Sequence, residues 1–245
     1  MPAHHRAPGH QDRSHEQKML TTYLLKPGRH EAALGVLARH WPLLRRQGLV
    51  TGEPSWIAHG QGGDGPFIVE LVTWGVPGAV DRAYLDPEIN SLWQEMFALT
   101  EARGARPPVD WPAVTRLTGG AAHDTPADTP LQTLTTYQVR EGRTERLAEL
   151  LPSYWDALDR AGLLAPGAPA LYAGENLHGP FLTEHLAWSD PHGPAKASGE
   201  PAAGALYARV AELAEERGDR PGIERCPVKP LHFGFMTETV TGEDT

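Results

Sequence analysis

The sequence predicts an α+β protein in which two copies of a β-α-β-β-α-β unit pack their antiparallel sheets face to face, as a pseudo-dimeric barrel within one chain. Two observations predict this fold. The 245-residue chain matches itself without a gap at an offset of 114 positions, and each copy alternates runs of strand period with runs of helical period. Two helices on one face of a sheet leave its other face bare and apolar, and the sister sheet covers that face.

The repeat includes residue types that rarely match by chance. Alanine, glycine and proline could align by coincidence, but tryptophans, tyrosines and a glutamate recur as well. The recurring pairs include Tyr23 and Tyr137, Trp41 and Trp155, Glu70 and Glu184, and Trp74 and Trp188. The expected organisation is a disordered tail at 1–16, a first half at 17–117, a polar linker at 118–130, a second half at 131–235 and a tail at 236–245.

Each copy predicts six elements in the order of a ferredoxin-like unit. Apolar residues from Leu34 to Leu44 follow the helical 3/4 spacing, and Gly48 is placed to end that helix. Pro42 in this helix, and Pro152 in its counterpart, are expected to bend or interrupt it. The first copy predicts a strand at 20–26, a helix at 31–47, strands at 55–60 and 66–74 joined by a glycine-rich hairpin, a helix at 87–103 and a strand at 113–117; the second copy ends with a helix at 201–217 and a strand at 228–233.

Composition excludes several classes of partner. The net charge is −9, and basic residues are scattered over both halves, which argues against nucleic-acid binding. No apolar run reaches the roughly 18 to 20 residues that a membrane span needs, and the N-terminus has no stretch of signal-peptide type. The single cysteine, Cys226, cannot form an internal disulfide and fits a reducing compartment. We expect a cytoplasmic protein whose partner is a small molecule or another protein, with further oligomerisation left open.

The third strand of each copy carries the candidate acid–base residues. Alternation places Glu70 and Trp74 on one face of this strand in the first copy, and Glu184 and Trp188 on one face in the second. Both faces of the strand are expected to be covered, so each glutamate should be at least partly buried. A buried carboxylate needs a partner or a raised pKa, and a raised pKa suits a general base.

A structural role for these glutamates is the alternative. Each could accept a hydrogen bond from the hydroxyl of Tyr23 or Tyr137, or pair with an arginine such as Arg116, and so fix the register of the sheet. The recurrence of glutamate, tryptophan and tyrosine in both halves is compatible with this hypothesis, because the fold itself could require them.

Residues that occur in only one copy are further candidates, because a fused pair of sites can lose one and keep the other. We predict His59 and His185 as catalytic candidates and Tyr172 as a ligand contact. Glu184 and His185 are adjacent in a strand and point to opposite faces, so they cannot form a simple dyad. No metal-ligand spacing, phosphate-binding loop or dinucleotide fingerprint occurs in the sequence, so no metal and no cofactor is predicted.

Three segments resemble the dimeric α+β barrel superfamily, which includes antibiotic-biosynthesis monooxygenase-like, NIPSNAP-like and stress-responsive barrel proteins. They are the run from Thr21 to Arg29, the run from Phe67 to Trp74, and Asp86-Pro87-Glu88 followed by Leu92-Trp93. The resemblance covers 18–117 and 132–233, is specific for fold, and implies that a small ligand binds between the two sheets.

The resemblance implies three alternative functions. The first is a cofactor-independent monooxygenase or isomerase acting on an apolar or aromatic substrate, with Glu70 or Glu184 as base. The second is a non-catalytic structural or ligand-binding barrel. The third is haem binding, which the sequence favours less because the second helix of the first half offers no histidine. The residues expected to contact a ligand are Tyr23, Trp74, Tyr137, Tyr172 and Trp188.

Overall fold

The computed structural model describes residues 16–120, 125–126, 128–167 and 169–233, so the predicted tails lie outside the described residues apart from Glu16. The first half consists of β1 (Gln17–Leu24), α1 (His30–Arg46), β2 (Trp56–Gly62), β3 (Gly65–Trp74), α2 (Ala79–Leu85), α3 (Pro87–Ala98), β4 (Val109–Asp110) and β5 (Ala113–Gly119). The second half consists of β6 (Leu131–Gln138), α4 (Thr144–Arg160), β7 (Ala170–Asn176), β8 (Gly179–Trp188), α5 (Gly193–Gly199), α6 (Pro201–Glu212) and β9 (Ile223–Pro230).

The helices differ from the prediction in two ways. Short helices α2 and α5 precede the second long helix of each half, and were not predicted. Helices α1 and α4 run without interruption through Pro42 and Pro152. A proline inside a helix removes one backbone hydrogen bond, and the buried apolar faces of α1 and α4 compensate for that loss through packing.

The nine strands form one sheet that closes into an antiparallel barrel. The strand order is β3-β2-β9-β6-β8-β7-β5-β1, β1 pairs back onto β3, and β4 adds to β1. Two seams join the halves: β2 with β9, and β5 with β7. Each seam pairs a strand of one half with a strand of the other, so the barrel is built by both halves of the chain together.

Three apolar layers follow from this closure. One core lies between the sheet and helices of the first half, and a second lies in the same place in the second half. The third is the barrel interior, where the sequence predicts the ligand. That interior is instead packed with side chains of both halves, among them Leu20, Trp56, Phe67, Val69, Tyr172, Phe181, Cys226 and Val228.

In the part of the chain that the structure describes, no helix combines the length and the apolar character required to cross a membrane.

Candidate functional site

A cavity lies between the sheet and the helices of the first half, on the opposite side of the sheet from the barrel interior. Its volume is about 50 Å³, far below the roughly 300 to 1,000 Å³ of a typical small-molecule site, so a larger ligand enters only when the side chains of its walls move apart. Strand alternation brings every second residue of β1 and β3 to its floor. Its walls are Met19, Thr21 and Tyr23 of β1, His40 of α1, Val72 and Trp74 of β3, Val80 and Tyr84 of α2, Trp93, Met96 and Phe97 of α3, and Trp111.

Aromatic side chains from α2, α3 and the segment after β4 form one side of the cavity. Tyr84 packs edge-on against Trp93, with ring centres 5.0 Å apart, and Trp111 contacts both Tyr84 and Phe97. Tyr84 is 45% exposed and Trp111 is 38% exposed, so these two rings lie at the mouth. The arrangement favours a flat, apolar ligand.

Glu70 lies directly behind the cavity wall, fully buried. It accepts a hydrogen bond from the Tyr23 hydroxyl at 2.9 Å and one from Nδ1 of His40 at 3.0 Å. The hypothesis that tyrosine hydroxyls bind the repeated glutamates is confirmed, because Tyr137 donates to Glu184 at 2.9 Å in the second half. Burial and the Glu70 charge raise the pKa of Tyr23 well above its ordinary value, so Tyr23 remains a protonated donor.

The hydrogen bonds assign the tautomer of His40. Trp93 donates from its indole Nε1 to Nε2 of His40 at 3.0 Å. An indole nitrogen only donates, so Nε2 of His40 carries a lone pair and the ring proton of the neutral imidazole is on Nδ1. That proton is donated to Glu70. The result is a carboxylate–imidazole dyad whose basic nitrogen faces Trp93, a residue of the cavity wall, and a carboxylate in this place orients a general base.

Trp74, a residue of the cavity wall, has an unused donor. Its indole Nε1 is buried and has no acceptor among the described residues. In the second half, Trp188 donates the same N–H to Oγ1 of Thr133 at 2.9 Å. Met19 stands at the position equivalent to Thr133, so the first half lacks this internal acceptor. A ligand oxygen near Trp74 would satisfy the buried N–H.

The second half keeps the glutamate but not the dyad. Tyr154 stands at the position of His40, and Glu184 accepts hydrogen bonds from Tyr137 and from the indole of Trp155. Burial raises the pKa of Glu184, while the charge of Arg225 and these hydrogen bonds oppose the rise. The arginine whose charge acts on Glu184 is thus Arg225, whereas Arg116, the arginine named in the prediction, lies exposed on β5.

Three of the predicted site residues lie neither at the first-half cavity nor at the equivalent place around Glu184 in the second half. His59 is on β2 in a surface groove, with its ring 4.9 Å from that of His30, and burial together with the charges of His30 and Lys229 lowers its pKa. His185 and Tyr172 point into the barrel interior. Of the other predicted residues, Tyr23 and Trp74 line the cavity with Glu70 behind them, and Tyr137, Glu184 and Trp188 occupy the equivalent places in the second half.

Sequence reasoning missed His40, Trp93 and Trp111. The repeat contains the signal, because each of the three lies at a position where the copies differ. The residues at the equivalent positions of the second copy are Tyr154, Tyr207 and Arg225. His40 is also the one histidine on the buried face of α1.

Among the described residues, no group of three or more histidine, cysteine, aspartate or glutamate side chains could hold a metal ion.

Comparison with known proteins shows similarity in structure and none in sequence. No protein-family profile and no curated protein sequence matches the chain. An anthrone oxidase-like protein superposes with a TM-score of 0.61 at 12% identity, covering 90% of this chain and 93% of that one. Candidate monooxygenases from Fusobacterium nucleatum subsp. nucleatum and Lactobacillus acidophilus give TM-scores of 0.53 and 0.51 at 10% and 9% identity. The superpositions cover 89% and 88% of this chain, and 93% and 95% of those two chains.

At these identities the three structures establish a shared fold alone. In this chain that fold is a closed antiparallel barrel, and both halves of one polypeptide supply its strands.

Proposed function

We propose that this chain is a cofactor-independent oxygenase that binds an apolar aromatic substrate with an acidic C–H or O–H in the cavity of the first half. The observation that carries the proposal is the dyad of Glu70 and His40 on an aromatic-walled cavity. The structural similarity to an anthrone oxidase-like protein supports the substrate class, because an anthrone is a flat aromatic ketone with an acidic methylene group.

His40 is the proposed base. Glu70 holds the ring in the tautomer whose Nε2 carries a lone pair that can accept a proton, and it stabilises the imidazolium that forms. Trp93 occupies Nε2 before substrate binds. Because Trp93 is only half-buried and packs against Tyr84 at the mouth, a substrate donor can take the place of its indole N–H.

The oxidant is dioxygen. Removal of one proton from the substrate methylene gives a carbanion that is stabilised as an enolate when a carbonyl is conjugated with it, and Trp74 is placed to donate its free N–H to that oxygen. The electron pair of the carbanion reduces dioxygen to a substrate-bound peroxide, which takes the proton back from the His40 imidazolium, and the resulting hydroperoxide loses water to leave a new carbonyl. One methylene and one dioxygen molecule therefore give one carbonyl and one water. The apolar walls limit the access of water to the reactive carbanion.

Substitution of His40 tests the proposal. With anthrone as substrate, His40→Gln is expected to lower kcat by about 10²- to 10⁴-fold, the contribution of a positioned general base. Oxygen uptake and anthraquinone absorbance are measured together, after subtraction of the spontaneous oxidation of anthrone. Tyr154→Phe changes the equivalent position of the second half and is the matched control, with wild-type turnover expected.

Two outcomes would decide against the oxygenase. Wild-type turnover in a correctly folded His40→Gln variant would remove the proposed base. Tight binding of anthrone without oxygen uptake in the wild-type protein would favour the non-catalytic ligand-binding barrel.

A further inference from the structure

The cavity of the first half has a structural counterpart in the second half. Each wall position has an equivalent position 114 residues later in the chain. The strands below have the same register, because Tyr23 faces Ile68 on β3 and Tyr137 faces Leu182 on β8. Tyr137 and Trp188 are therefore placed as Tyr23 and Trp74 are. The two sites differ at Met19, His40 and Trp93, as given above, and also at the mouth, where Tyr84, Phe97 and Trp111 are replaced by Ser198, Ala211 and Arg225.

Arg225 extends into the space that the cavity would occupy. Its guanidinium carbon lies 5.7 Å from the ring centre of Trp188 and 5.1 Å from that of Tyr207. Its Nε donates to Oγ1 of Thr135 at 3.2 Å. The counterparts of these three contacted residues, Trp74, Trp93 and Thr21, are all walls of the first cavity.

Electrostatic interactions hold the arginine in this place. Burial by itself would lower the pKa of the Arg225 guanidinium, but Tyr154, Tyr137 and Glu184 raise it above its ordinary value. The side chain is therefore charged at any physiological pH. Cation–π contact with two rings and the nearby buried carboxylate offset its desolvation.

We propose that Arg225 is an internal plug that occupies a second copy of the ligand site. The native chain then binds one ligand, in the first half, and a second aromatic-walled site of the same class opens when the Arg225 side chain is removed. The class of ligand rests on the proposed function, whereas the occupied space rests on the contacts of Arg225 alone.

Xenon tests the plug without any reference to catalysis, because it enters dry apolar cavities. Crystals of the wild-type chain under xenon pressure are expected to show xenon beside Trp74 and none beside Trp188. The Arg225→Ala/Glu184→Gln variant, in which no buried carboxylate loses its counter-charge, is expected to add xenon beside Trp188 and Tyr207. The reciprocal Trp111→Arg variant is expected to lose the xenon of the first half.

Calorimetry with anthrone then measures stoichiometry. One anthrone per chain is expected for the wild type and two for Arg225→Ala/Glu184→Gln, without added oxygen uptake, because Tyr154 stands where the first half has His40. Xenon beside Trp188 in the wild type, or a folded double variant without xenon there, would overturn the plug. Xenon in the opened site of the double variant with no anthrone bound in either half would uphold the plug and contradict the proposed function.

Discussion

His185 lies in the barrel interior, almost fully buried among apolar side chains. Its Nε2 is 2.8 Å from the amide oxygen of Gln132, and its ring meets the edge of Trp56. Burial lowers the pKa of His185 to about 4 from an ordinary 6.5. A neutral histidine in this place is a packed, hydrogen-bonded member of the core, far from the base proposed on the other side of the sheet.

Stability should therefore depend on pH through this residue. The unfolded chain binds the proton near pH 6.5 and the folded chain only near pH 4, so the free energy of unfolding falls as the pH drops through this window, by about 3 kcal/mol. Replacing His185 with leucine, the residue at the equivalent position 71, is expected to remove this contribution. Urea unfolding at a series of pH values measures the slope.

The exposed His192 provides the control, since His192→Gln should keep the wild-type slope. Loss of absolute stability in His185→Leu, caused by the unpaired Gln132 amide, does not affect the comparison of slopes. An unchanged slope in His185→Leu would show that the imidazole titrates alike in both states.

Some site residues could be predicted from their neighbours in the sequence, and others depend on contacts with distant parts of the chain. Burial of Glu70 and its bond to Tyr23 could be predicted, because strand period alone places both on a covered face. His40 could not, because its role arises from contacts with Glu70 and with Trp93, which are 30 and 53 positions away along the chain. The side of the sheet that carries the cavity depends on how tightly the barrel interior packs, which no periodicity encodes.

Helices α3 and α6 are equivalent in the two halves but begin differently. Asp86 caps α3, accepting hydrogen bonds from the backbone N–H groups of Glu88 at 2.9 Å and Ile89 at 3.0 Å. Glu200 occupies the same position before α6 and makes no such bond. The longer side chain of glutamate is a poorer cap than that of aspartate.

This difference predicts two opposite effects on stability. Asp86→Ala should lower the free energy of unfolding by about 1 kcal/mol, and Glu200→Asp should raise it by up to about 1 kcal/mol, because an N-cap satisfies backbone donors that are otherwise free. Urea denaturation of both variants beside the wild type measures this. A destabilised Glu200→Asp would mean that the start of α6 cannot adopt the capped geometry.

The long helices and central strands could be predicted from the sequence, while the cavity wall could not. Helix α2 has only seven residues, too few for a helical period to be recognised, yet it supplies Val80 and Tyr84. Strand β9 begins at Ile223, five residues before the predicted start at 228. The prediction missed these residues because Pro227 and Pro230 interrupt the strand pattern. Its pairing with β2 is non-local and leaves no mark in the neighbouring sequence.

At the scale of the whole molecule, two seams decide whether the barrel stays closed. Three residue pairs join β2 to β9, and five pairs with a shift between Arg116 and Thr118 join β5 to β7. Neither seam is extensive. The connection from β5 to β6 keeps the halves near each other, so closure depends on an effective concentration and not on the concentration of the protein.

Unfolding should consequently be independent of protein concentration. The urea midpoint is expected to coincide at about 0.1 and about 10 µM, because the strands that close the barrel belong to one chain. Fluorescence of the tryptophans gives the midpoint at both concentrations. A midpoint that rises with concentration would demonstrate an additional association between chains.

Because the halves are covalently joined, a single substitution changes only one half of the barrel. In a barrel assembled from two products of one gene, replacing the tryptophan at the mouth by arginine would close both sites at once and abolish the activity. Here the two positions can differ, so one side alone carries the arginine and natural selection can retain it. Tryptophan at position 111 and arginine at position 225 are one such difference, which two identical subunits could not have.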